Sequence, residues 1–151
     1  MTESPADPAV DPIASPAASP EASPDLPAPV ARYLAAYNAL DVDAMLATLS
    51  DDVIFDHVSN ATESVRTEGK EALARLAWQT ASLMSARTQS VRTAVCQAQG
   101  ELVRCALLID YEATVAMDLP DGWKQGQVLR LRGASFFELR GELITRVTDL
   151  S

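Results

Sequence analysis

The sequence predicts an α+β fold: a cone-shaped roll in which a curved, mostly antiparallel sheet packs against three N-terminal helices. Three observations predict it. Apolar residues recur at helical spacing in three stretches before residue 85, with one strand among them. Four stretches after residue 86 are rich in Val, Thr and Leu and are punctuated by Gly and Pro turns. A run of helices followed by a run of strands is the α+β pattern, whereas a parallel sheet needs alternation. The chain of 151 residues, 48% hydrophobic, suits one domain with one packed core.

The elements follow in order. Residues 1–28 stand apart in composition. Eight of the nine prolines fall between Pro5 and Pro29, and Pro8, Pro12, Pro16, Pro20 and Pro24 recur every fourth residue. Proline blocks helix and removes backbone donors, and the Ala, Ser and acidic residues between offer little to bury. A disordered, Pro/Ala/Ser-rich acidic tail is expected over 1–28, with a folded domain over 29–151. From Pro29, the spacing of Val30, Tyr33, Leu34, Tyr37 and Leu40 predicts a helix, and Pro29 fits its first turn. Asp41 reads as the N-cap of a second helix carrying Val42, Met45, Leu46 and Leu49. Val53 to Val58 reads as a strand with Val53, Phe55 and His57 on one face, and 59–69 as a polar loop. A third helix is expected over about 70–84, with Leu73, Leu76, Ala77, Leu83 and Met84 on its inner stripe and Trp78 nearby. Strands are then expected over 87–97, 102–117, 127–139 and 143–150, separated by turns at Gly100, Pro120-Asp121-Gly122 and Arg140-Gly141. A curved sheet covered on one side by helices leaves a half-open hollow, a natural ligand pocket.

Charge and composition exclude several classes. Lys and Arg number 12 against 21 Asp and Glu, a formal net charge of -9, of which -5 falls on residues 1–28. Such a chain repels phosphate backbones and anionic bilayers, so neither nucleic acid nor membrane is an expected partner. No apolar stretch approaches the roughly 20 residues that span a bilayer. Two cysteines and one histidine fall short of a metal cluster, and no phosphate loop or nucleophile elbow is present. No secretory signal opens the chain, and a cytoplasmic location is expected. Cys96 and Cys105 fall on neighbouring strands, and a reduced buried pair is expected there rather than a disulfide.

The run Arg32-Tyr33-Leu34-Ala35-Ala36-Tyr37-Asn38-Ala39-Leu40-Asp41-Val42-Asp43, followed by Leu49-Ser50-Asp51-Asp52-Val53-Ile54-Phe55, resembles the opening of nuclear transport factor 2-like proteins. Gly69-Lys70-Glu71-Ala72-Leu73 is similar to the start of that fold's third helix, and 137–144 to its terminal hairpin. The resemblance spans nearly everything from Pro29 to Ser151 and points to the SnoaL-like and ketosteroid isomerase-like members. The superfamily also holds limonene epoxide hydrolases and non-enzymatic binding modules, so the site has to decide function.

The resemblance implies three candidate catalytic residues. Tyr33 stands where ketosteroid isomerase places its oxyanion-hole tyrosine; the plainer reading is a core tyrosine on an amphipathic helix. His57 stands near that enzyme's general-base aspartate, and an imidazole can shuttle a proton near neutrality; otherwise it is a strand histidine with satisfied hydrogen bonds. Asp149 matches the last-strand aspartate of the SnoaL-like cyclases and epoxide hydrolases; otherwise it is a solvated acid near a terminus. Ser135 aligns with the isomerase's second oxyanion donor. Leu108 stands where the epoxide hydrolases would want an arginine, which makes that chemistry the poorest match. Tyr37, Phe55, Trp78, Ser135 and Phe137 are the expected ligand contacts, and no metal or other cofactor is expected. The chain is thus read as binding a small hydrophobic molecule, either as a cofactor-independent isomerase or cyclase or as a non-catalytic module, and as a homodimer through its convex sheet face.

Overall fold

The computed structural model describes residues 25–151. Of the tail expected over 1–28, residues 1–24 lie outside the described residues, and the first helix already begins at Ala28. Ahead of the first helix, Leu26 already packs against the core.

Helix α1 spans Ala28–Asn38 with Pro29 in its first turn, and α2 spans Val42–Leu46. Asp41 caps α2 as expected: its Oδ1 accepts from the Ala44 amide at 3.0 Å. Strand β1 covers Leu49–Val58, β2 Val65–Glu68, and helix α3 Lys70–Ser82. Four longer strands complete the chain: β3 Met84–Gln99, β4 Leu102–Val115, β5 Val128–Arg140 and β6 Leu143–Leu150.

The strands form one sheet in the order β2-β1-β6-β5-β4-β3. Only β1 and β6 run parallel; every other neighbour pair is antiparallel. Alternation along each strand sends Leu107 and Ile109 of β4, Phe137 and Leu139 of β5, and Val147 of β6 to the concave face, all nearly inaccessible. There they meet Val30 and Leu34 of α1, Met45 of α2 and Leu73 of α3. Each such side chain contributes roughly 1.5–3 kcal/mol by leaving water. The Tyr33 and Phe137 rings meet edge to face at 5.4 Å and tie α1 to the sheet.

The convex face is ordered differently. Arg104 pairs with Glu138, Arg92 and Arg132 with Asp110, and Arg130 with Glu112. Between those rows, the register aligns Val95, Ala106 and Phe136 across three strands. Val95 is 66% exposed and Phe136 44%.

Three expectations are corrected. The second helix stops at Leu46, and Leu49, which completes the helical spacing, instead opens β1 with its side chain 1% exposed. The supposed loop contains β2, an edge strand whose residues are mostly solvated and so show no alternation. Cys96 and Cys105 are joined by a disulfide. The register sets them directly opposite each other on β3 and β4 with Cα atoms 4.1 Å apart, so the neighbouring-strand placement holds and the expected reduced state does not.

Candidate functional site

The helices and the concave sheet face enclose a cavity of about 480 Å³. That is within the range typical of small-molecule pockets, roughly 300–1,000 Å³. Its walls are mainly apolar and aromatic, from Leu73, Leu76 and Ala77 of α3, Tyr33 and Tyr37 of α1, and Ile109 and Tyr111 of β4. Polar groups are few: His57, Arg87, Gln89, Ser135 and Asp149 carry most of them.

Three of these stand in a row. The parallel register sets His57 of β1 beside Asp149 of β6, and the antiparallel register sets Asp149 beside Ser135 of β5. All three line the cavity. The Ser135 hydroxyl donates to Asp149 Oδ1 at 2.6 Å. His57 Nε2 lies 3.0 Å from the Ser151 Oγ. A close backbone approach makes the row possible. A Cβ on Gly133 would stand 2.5 Å from the Leu150 carbonyl oxygen, so only glycine lets the end of β6 lie this tightly on β5. A glycine inside a strand signals a bend or a close approach, and here the partner is the neighbouring strand.

The electrostatics follow from burial. The apolar wall around Asp149 pushes its carboxyl above the usual carboxylate range, and the Ser135 hydrogen bond and the His57 charge act against that push. Burial drives the Tyr33 phenol far upward, the Asp149 charge adds to this, and Arg87 opposes it. Tyr33 therefore stays a protonated hydrogen-bond donor. Burial acts the same way on Tyr37, reinforced by Tyr111, whose ring lies 6.4 Å away.

Of the residues singled out from the sequence, Tyr33, Tyr37, Phe55, His57, Ser135 and Asp149 come together on this cavity. Two do not reach it. Phe137 is 1% exposed and fills the core against Tyr33, a layer behind the wall. Trp78 is 52% exposed, because α3 turns Leu73, Leu76 and Ala77 inward and the next residue points about 100° further round the helix.

The sequence reading missed Arg87, Gln89 and Tyr111. Tyr111 had a signal, since parity puts it on the face of Leu107 and Ile109. Arg87 had none, since a lone arginine on a strand of Thr, Gln and Ser reads as solvated. In the fold it is 4% exposed, with its Cζ 3.6 Å from the centre of the Tyr37 ring and its Nε donating to the Tyr37 carbonyl at 2.8 Å. Among the described residues, no group of three or more His, Cys, Asp or Glu is placed to hold a metal ion. No helix there is long and apolar enough to cross a membrane.

Residues 30–147 match the family described as the SnoaL-like domain. No curated protein matches the chain. Several solved structures do. A candidate polyketide cyclase from Xanthomonas campestris pv. campestris is 31% identical over 82% of this chain and 87% of that one, with a TM-score of 0.56. A candidate polyketide cyclase from Pseudomonas putida KT2440 is 28% identical over 80% and 86%, with a TM-score of 0.58. A Catenulispora acidiphila protein with a ketosteroid isomerase-like fold, solved in complex with trimethylamine, is 18% identical over 83% and 85%, with a TM-score of 0.63, a likeness of fold alone.

Proposed function

This chain belongs to the SnoaL-like domain family, and from that premise we propose that it binds a flat, largely apolar small molecule in its cone and moves a proton on it. The proton transfer takes place next to a carbonyl, as an isomerisation or cyclisation requires. The observation that carries the reading is the Asp149 carboxylate, set in an apolar wall with the Ser135 hydroxyl 2.6 Å from Oδ1. A carboxyl raised by burial is a stronger base than one in water, and its proton affinity is better matched to a weak carbon acid. Ser135 holds Oδ1 and orients the group, which leaves Oδ2 to take the proton. His57, one strand away, stabilises the carboxylate and offers the proton a way out. Tyr33, protonated and on the same wall, donates to the oxygen where negative charge develops. Positioned proton transfer of this kind asks for no cofactor. The resemblance to candidate polyketide cyclases supports this class of substrate.

The convex face supports a homodimer. An apolar band through Val95, Ala106 and Phe136 lies between rows that carry both charges, a surface that a two-fold copy could cover with apolar on apolar and opposite charges facing. A cytoplasmic location is the reading of the sequence, and the Cys96–Cys105 disulfide counts against a reducing compartment.

The function is tested with 2-tetralone, a benzo-fused cyclic ketone with acidic benzylic α-hydrogens, incubated in D2O and followed by NMR. The protein should accelerate exchange at the α-carbon over buffer, and Asp149→Asn should lower that acceleration by about 10²–10⁴-fold, the usual weight of a general base. The wild-type rate should climb with pH through a midpoint above the ordinary carboxyl value. Failure of the wild type to exceed buffer, or full activity in the variant, would overturn the assignment.

A further inference from the structure

The polar groups that serve proton transfer leave one charged residue of the cavity unaccounted for. Arg87 projects from β3 into the hollow and is 4% exposed. Its guanidinium lies over the Tyr37 ring, with Cζ 3.6 Å from the centroid. Its Nε is spent on the Tyr37 carbonyl at 2.8 Å, near the C-terminal end of α1. Asn38 locks the same junction, accepting from the Gln89 amide at 2.8 Å and donating to the Gln89 carbonyl at 3.2 Å. Among the described residues, no carboxylate lies within ion-pair distance of Arg87, and Nη1 and Nη2 make no hydrogen bond. Every other arginine on the sheet that forms an ion pair does so on the exposed, convex side or at the β1–β2 edge.

A buried cation without a counter-ion is costly, and only part of that cost is met by the helix-end carbonyl and the aromatic face. The fold nonetheless holds the guanidinium between the Tyr37 ring and the Tyr37 carbonyl and leaves its terminal nitrogens without a hydrogen-bond partner among the described residues. That is the geometry of a bidentate clamp for an anionic oxygen pair. We infer that Arg87 is an anion subsite of the ligand cavity, and that the molecule bound there carries a carboxylate, or an equally acidic enol or phenol, on its otherwise apolar body. Gln89 and Tyr111, on the same part of the wall, are the neighbouring hydrogen-bonding groups. Tyr33, Arg87 and Asp149 line the same cavity, so one ligand can reach all three.

The inference rests on the apolar-cavity reading above and deepens it by naming the ligand's charge. The test compares 2-naphthoic acid with its neutral methyl ester by isothermal titration at pH 7. The full-length wild type should bind the acid at least tenfold more tightly, and Arg87→Met should remove that preference while still binding the ester. Arg87→Lys should keep part of the preference, because it retains the charge and loses the fork. The wild-type comparison needs no variant, so a misfolded Arg87→Met protein does not spoil it. Equal binding of acid and ester by the wild type, or an undiminished preference in a folded Arg87→Met protein, overturns the anion subsite and leaves the apolar cavity standing. Binding of neither compound overturns both.

Discussion

Asp149 is held where its charge is disfavoured, and that tension has a measurable sign. Its carboxyl titrates higher in the folded chain than in the unfolded one. The native state therefore holds the extra proton between the two values, so stability is full below the unfolded value and declines as pH rises through the folded one. Asp149→Asn removes the decline while keeping an oxygen for Ser135. We expect the variant to be more stable than the wild type at pH 7 by roughly 0.5–2 kcal/mol, the usual gain when a strained functional group is replaced. The advantage should vanish toward pH 3, as read by thermal melts across pH. A residue placed only for structure would give the opposite result at neutral pH. At this scale, sequence reasoning found what alternation reveals. His57, Ser135 and Asp149 sit on predictable strand faces, whereas the inward turn of Arg87 depends on Tyr37 and Asn38, some 50 positions away.

At the scale of elements, the weak point is the β1–β2 edge. β2 has four residues and little burial, so beyond its short main-chain ladder its attachment relies on side chains of β1. Asp56 is the hub: Arg66 Nε donates to Oδ1 at 2.6 Å and Arg146 Nη2 to Oδ2 at 2.9 Å, joining β2, β1 and β6. The Arg66 hydrogen bond leads in holding the Asp56 carboxyl below its usual 3.8, with Arg146 adding to it. A depressed carboxyl contributes stability above its unfolded value and loses it as pH falls through the folded one. Asp56→Asn should therefore cost about 1–2 kcal/mol at pH 7, little or nothing at pH 2, and should speed hydrogen exchange of the β2 amides. Unchanged urea midpoints at pH 7 would contradict the hub. This edge was illegible in the sequence for the same reason that it is fragile. A strand held by polar side chains at the rim of a sheet carries no apolar alternation to read. The long strands and the amphipathic helices, whose order comes from burying one face, were placed to within a few residues. The exception is Leu49, whose position satisfies both a helical and a strand register until the β6 partner is known.

For the molecule as a whole, the proposed dimer rests on the outer face of the sheet. Phe136 stands in the middle of the proposed contact, and a charge there would have to be buried without a partner. Phe136→Glu should convert the dimer to a monomer in light scattering at micromolar concentration while leaving the cavity and its tetralone exchange intact. A wild type that is monomeric at the same concentration would remove the proposed interface. The one parallel pairing in the sheet bears on how the chain matures. His57 and Asp149 meet only because β1, among the first strands, accepts β6, the last. On the ribosome, the early helices and β1 emerge long before that strand exists. Until it arrives, the inner edge of β1 is an open template, the kind of surface that invites mispairing and recruits chaperones. Such distant closure also slows folding. Drawing the proposed proton-transfer row from the first and last strands of the sheet thus leaves a vulnerable nascent intermediate, which persists until β6 has been made and paired.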